Sequence, residues 1–135
     1  MNYINSEGLV LESEYKYTAV EGACKQVPTA KKYLNSQKPW TMLDGVDSIK
    51  SSIASTGPVS ICVDASNWSA YRSGIFSNCG GTNLNHAVSV VGYDKDGNWI
   101  VRNSWGAAWG NSGYITLKAG NTCGIANHAL VPNLA

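Results

Sequence analysis

Two β-rich runs, residues 86–93 and 99–105, stand on either side of Asp94-Lys95-Asp96-Gly97-Asn98. Val, Tyr, Trp and Ile fill the runs while Asp, Gly and Asn fill the gap, the pattern of two strands joined by a tight reversal. The position of the turn centre sets the pairing: Asn103 falls opposite Val88 or Val90, and either register puts it on the face of His86. That face reads His86, Val88, Val90 and Gly92 on one strand and Trp99, Val101, Asn103 and Trp105 on the other. Ser89, Tyr93, Asn98, Arg102 and Ser104 take the opposite face. An imidazole and a carboxamide therefore share the drier side, near the open end of the ribbon.

The rest of the chain reads as turn-rich and β-heavy around this hairpin. Residues 1–40 are polar and broken by Gly8, Gly22, Pro28 and Pro39, so they are expected mostly as extended loop. From Asp44, an apolar stripe of Val46, Ile49 and Ile53 predicts a short helix that Asp44 can cap and Gly57-Pro58 stops. Pro58 to Asp64 alternates Val59, Ile61 and Val63 with Ser60, Cys62 and Asp64, a half-buried strand. Ser66 to Arg72 suits one or two helical turns, 113–118 a further strand and 128–132 a last one.

With 135 residues, 44% apolar and 14% charged, the chain suits one compact domain rather than a disordered tail. A net charge of +1 with no Lys/Arg cluster argues against nucleic acid or an anionic membrane surface as a partner. The four cysteines, at 24, 62, 79 and 123, form no Cys-x-x-Cys pair, and His86 and His128 are the only histidines. Neither a metal site nor a cofactor is expected. Asp94, Asp96 and Asn98 lack the glutamate and glycine positions of a calcium loop and read as a solvated turn. Asn67-Trp68-Ser69 is a glycosylation sequon of a kind that chance supplies in a chain this rich in Asn, Ser and Thr.

A His and an Asn on one face suit an oriented base. The amide oxygen takes one ring N–H, fixes the tautomer and leaves the other nitrogen to exchange a proton. Trp105, two residues past Asn103, is placed to shield that bond. On pattern alone, the two residues also fit the polar rim of a sheet.

Longer stretches decide between these readings. Asn85-His86-Ala87-Val88, Val90-Val91-Gly92-Tyr93, Val101-Arg102-Asn103-Ser104-Trp105-Gly106, Trp109-Gly110, Gly113-Tyr114-Ile115 and Cys123-Gly124-Ile125-Ala126 resemble, in order and spacing, the cathepsin branch of the papain-like cysteine peptidases. Gly8-Leu9, Glu14-Tyr15-Lys16-Tyr17, Gly57-Pro58-Val59-Ser60, Asp64-Ala65 and Tyr71-Arg72-Ser73-Gly74-Ile75-Phe76 extend the resemblance over nearly the whole chain.

The resemblance implies an α+β fold, the C-terminal β-rich domain of papain-like peptidases, with an antiparallel, barrel-like sheet and one or two short helices. It implies 1–40 as an irregular inter-domain segment and 41–135 as the β-rich domain. His86 matches the catalytic histidine, Asn103 its orienting amide and Trp105 the indole that covers the pair. Ala65, Asn85, Ala87 and Trp109 match positions along the substrate cleft, the substrate being an extended polypeptide. Cys79 and Cys123 match a disulfide pair, and Cys24 a cysteine whose partner lies in the N-terminal part. A lysosome-like or secreted setting follows from the same resemblance.

One departure matters. Family members carry the nucleophile in a Cys-Gly-Ser-Cys-Trp type segment about 130 residues or more before the histidine, whereas 85 residues precede His86 and none of them form that segment. The Gln that would complete the oxyanion hole has no match either. Cys62 lies inside an alternating strand with no helix N-terminus to activate it, and reads as a buried thiol. The expectation is thus the C-terminal part of a cysteine endopeptidase, supplying His and Asn but inactive alone, with the missing N-terminal half as its partner. The alternative is a non-catalytic papain-like binding module.

Overall fold

The structure, a computed structural model, describes residues 2–34 and 37–134. They form two compact units: residues up to Thr41 together with those from Pro132 onward, and Met42–Val131.

In the first unit, residues Asn2–Glu7 form a helix, α1, where extended loop was expected. Gly8 ends it: its N–H donates to the Ile4 carbonyl at 2.9 Å with φ at +90°, a left-handed stop that glycine adopts at least cost. This capping is what six residues need to hold a helical turn, and no apolar period announces it. Beyond it the chain is held by scattered bonds, Leu9 bridging Lys31 and the Glu14 carboxylate accepting from Leu11 N and Thr29 Oγ1. Leu11, Tyr17 and Val20 stay exposed.

The remaining elements are β1 (Trp40–Leu43), α2 (Gly45–Ser55), β2 (Val59–Val63), β3 (Ile75–Phe76), β4 (His86–Tyr93), β5 (Trp99–Arg102), β6 (Tyr114–Leu117) and β7 (Ala129–Pro132). The seven strands make one sheet in the order β1-β7-β2-β4-β5-β6-β3. The pairs β2–β4, β2–β7, β4–β5 and β5–β6 are antiparallel, while β3, two residues long and not foreseen, runs parallel to β6. The mostly antiparallel sheet with two short helices has the α+β make-up that was expected.

Strand β2 follows its alternation: Val59, Ile61 and Val63 are buried, Ser60 and Cys62 partly so. Helix α2 lays Ile49, fully buried, against the same core, with Val46 and Ile53 beside it. Burying one such side chain contributes roughly 1.5–3 kcal/mol. Asp44 stands at the N-cap position, but its side chain makes no capping bond; instead Ser48 Oγ donates back to the carbonyls of Asp44 and Gly45. Residues 66–72 form two successive turns rather than a helix, with Trp68 N bonded to Ala65 O and Tyr71 N to Trp68 O.

The hairpin is made as expected at its open end, where Ser89 pairs with Arg102 and Val90 with Val101. Between Val90 and Gly92 the register shifts, so Gly92 pairs with Ile100 and Tyr93 with Trp99. Val91 is the extra residue of a β-bulge. It exchanges the expected faces of Gly92 and Tyr93, and the Tyr93 ring meets the buried Trp99 edge-on at 6.4 Å. Lys50 of α2 reaches over both rings, 5.5 and 5.4 Å from their centroids. Strand β5 stops at Arg102, so residues 103–105 lie beyond it. Asn98 is buried rather than outward, because its amide bonds Asp94 Oδ2 and its oxygen takes the Ala119 N–H.

Candidate active site

The open end of the β4–β5 ribbon brings together the two side chains expected there. His86 opens β4, opposite Val63 of β2. Asn103 follows β5 directly, its N–H donating to Gly113 O at 3.0 Å. The two side chains meet: His86 Nε2 lies 2.7 Å from Asn103 Oδ1. That oxygen also accepts the Ser104 N–H at 2.8 Å, which fixes the amide orientation. An amide oxygen only accepts, so Nε2 carries the proton and Nδ1 is the nitrogen free to take or give one. Asn103 Nδ2, facing away from the bond, is buried with no partner among the described residues.

Indoles surround the pair. Trp105, 42% exposed, lies across the imidazole with ring centroids 5.0 Å apart and planes tilted by 32°. Behind it stands Trp109, edge-on at 5.0 Å. Trp109 is almost wholly buried and donates its indole N–H to Trp68 O at 3.2 Å. Trp68, fully buried, stacks on Trp109 at 6.2 Å and meets His86 edge-on at 6.1 Å. An imidazole packed this way is held in one orientation and partly screened from water.

Trp68 is absent from the residues that sequence reasoning singles out, where it figures only as the middle of a sequon. The signal was a large indole set among Ser66, Asn67 and Ser69, which needs cover that no neighbour in sequence supplies. Asn67 itself is tied by its side-chain N–H to Asn78 O at 3.1 Å.

The other expected site residues separate. Ala65 is buried, and its N–H donates to Asn85 Oδ1 at 2.9 Å. Asn85 Nδ2 donates in turn to Ser66 Oγ at 2.9 Å, so its amide braces the loop ahead of His86. Asp64, read as an outward strand residue, is buried at 2% exposure because the strand ends at Val63. Bonds from Ser66, foremost, then Asn83 and Asn85, hold its carboxyl below the usual aspartate range, against burial, which pushes it up. Ala87 faces away from His86, since successive strand residues alternate. On that opposite face it lines a hollow of about 410 Å³ with Ser60, Ser89 and Arg102. Cys62 pairs with Ala87 and so also lies opposite the imidazole; it is partly rather than fully buried. Cys79 and Cys123 are joined by a disulfide, and Cys24 and Cys62 are free thiols, Cys24 exposed.

Comparison with known proteins decides the lineage. The model of a family described as "Papain family cysteine protease" matches residues 1–133. The chain belongs to the papain family of cysteine proteases. It is 42% identical to "Putative cathepsin L 3" of Paramecium tetraurelia over 128 residues, covering 95% of this chain and 41% of that protein. It is 41% identical to "Cathepsin L-like proteinase" of Fasciola hepatica over 145 residues, covering 98% of this chain and 43% of the relative. The structure of the bromelain protease from Ananas comosus in complex with the E64 inhibitor superposes with a TM-score of 0.84 at 35% identity, over 99% of this chain and 67% of the other. This papain-family chain thus spans about two fifths of the length of these cathepsin L relatives.

Proposed function

We propose that this chain supplies the base half of a papain-type cysteine endopeptidase. The observation that carries the reading is the bond between His86 Nε2 and Asn103 Oδ1, which leaves Nδ1 as the proton-exchanging nitrogen. In the whole enzyme, Nδ1 takes the proton of a cysteine thiol and the thiolate attacks the scissile carbonyl carbon of a polypeptide. Nδ1 then returns that proton to the leaving amine as the C–N bond breaks. Water gives a proton to Nδ1 and adds its oxygen to the acyl carbon, the C–S bond breaks to release the new carboxylic acid, and the departing thiolate recovers the proton from Nδ1. Asn103 holds the ring and Trp105 keeps water from the pair; neither group need change charge.

The nucleophilic cysteine belongs, on this reading, to an N-terminal half of the peptidase, and these 135 residues by themselves do not turn over substrate. Residues 1–40 are the segment that joins the halves, residues 41–135 the β-rich domain, and Cys24 the partner of a cysteine in the other half. Ala65 and Asn85, beside His86, and Trp105, with Trp109 behind it, border the groove for the extended peptide. The disulfide suits an oxidising, lysosome-like or secreted setting. No helix among the described residues is long and apolar enough to cross a membrane.

The test is reconstitution. The chain is refolded with a separately made N-terminal half that carries the Cys-containing segment, and hydrolysis of a fluorogenic peptide is followed. Activity is expected only when both parts are present, and none with His86→Ala. A stable reconstituted complex without activity would instead favour a binding module.

A further inference from the structure

One buried carboxylate takes no part in the proton transfers proposed for His86. Asp64 is buried, and among the described residues its partners are peptide N–H groups and one amide rather than a cation. Oδ1 accepts the Ser66 N–H at 3.0 Å and the Asn85 side-chain N–H at 3.4 Å, while Oδ2 accepts the Asn83 N–H at 3.2 Å. Its own N–H donates to Cys123 O at 2.8 Å, the residue whose sulfur is bonded to Cys79. A buried carboxylate persists only when such donors satisfy it.

These donors come from the two segments that flank the imidazole. Residues 79–85 run directly into His86, and residues 65–68 bring Trp68 against its ring. The first segment lies close over the carboxylate. A Cβ on Gly81 would stand 3.5 Å from Asp64 Oδ2, and one on Gly80 would stand 3.3 Å from Ser66 Cβ. A carboxylate presents acceptors alone, so it can take all of these N–H groups. An asparagine would turn one oxygen into a donor facing a donor.

We propose that Asp64 is a positioning residue for His86: its carboxylate ties the loop 79–85 to the turn 65–68 and so sets the orientation of the imidazole. The proposal rests on the reading of His86 as the base, but its test does not involve turnover. In the ¹⁵N-labelled chain, the His86 ring is followed by imidazole nitrogen correlation spectra. The unaltered chain should show one tautomer with a slowly exchanging Nε2–H. In Asp64→Asn, that proton should exchange about tenfold faster and a second set of ring nitrogen shifts should emerge, with Val88, Val90 and Val101 amides still protected. A folded Asp64→Asn with unchanged tautomer and exchange overturns the proposal. Should Asp64→Asn fail to fold, Asn83→Pro removes the single N–H on Oδ2 from an exposed residue outside every strand. It must move the same proton in the same direction, and unchanged exchange there is equally fatal. Absence of activity when the unaltered chain is reconstituted, with its ring spectra as expected, would count against the peptidase reading instead.

Discussion

Trp68 meets the His86 imidazole edge-on, with 6.1 Å between ring centroids, while its own carbonyl accepts the Trp109 indole N–H. The fully buried indole is thus the floor on which the imidazole and both other indoles rest. Trp68→Ala should cost about 3–5 kcal/mol, read from the urea midpoint, as expected for removing a buried Trp. Trp68→Phe should cost less than about 1.5 kcal/mol, because the lost area is offset by removing an indole N–H that has no partner among the described residues. A small effect of the alanine variant would mean that the cluster does not rest on this ring.

Asn103 has two duties on one oxygen, the His86 Nε2–H and the Ser104 N–H. Asn103→Ala leaves both donors without their acceptor and frees the imidazole to turn. In the reconstituted enzyme, kcat should fall about 10²-fold with KM little changed, the loss expected from a misplaced reacting group. Asn103→Asp retains an acceptor for both donors and should recover part of the rate. A KM effect without a kcat effect would assign Asn103 to substrate binding.

The contact between His86 and Asn103 is legible in the sequence because a hairpin is local. The turn at 94–98 brings β4 and β5 together, and alternation then decides the faces. Val59, Ile61 and Val63 announce β2 for the same reason. The bulge at Val91 is not legible, since one extra residue leaves plausible alternation on either side and shows only in the partner strand. Burial of Asp64 and Trp68 depends on loops 79–85 and 103–113 folding over them, contacts made at long range. The stacking of Trp109 on Trp68 is likewise not legible, since 41 residues separate the two indoles. Helix α1 depends on the left-handed conformation of Gly8, which a list of apolar positions does not reveal.

The bond between Cys79 and Cys123 closes a separation of 44 residues that includes β4, β5 and β6. Chain entropy puts the stabilisation from such a loop at about 4 kcal/mol, and about 2–4 is usual in practice. Reduction, or the double change Cys79→Ala with Cys123→Ala, should lower the unfolding free energy by that amount. Urea titrations with and without reductant measure it. An unchanged midpoint would show that the reduced unfolded chain is already held compact.

Acid should loosen the hairpin from its turn. The Asp94 carboxylate accepts the N–H groups of Asp96 and Asn98, each at 2.9 Å, and the Asn98 side-chain N–H at 2.8 Å. The bonds from Asn98, above all its amide, hold the Asp94 carboxyl below its usual 3.8 despite partial burial, which pushes it up. A folded value lower than the unfolded one means that the unfolded chain takes up protons first as the pH falls. The turn therefore contributes its full stability above about pH 3.8, and that contribution is lost as the pH drops through the lowered folded value. Amide exchange of Asp96 and Asn98 should accelerate across this acid range beyond the intrinsic trend. Asp94→Asn should be less protected at neutral pH and lose the acid step; a step that persists in Asp94→Asn would assign the sensitivity to another carboxylate, with Asp64 next to test.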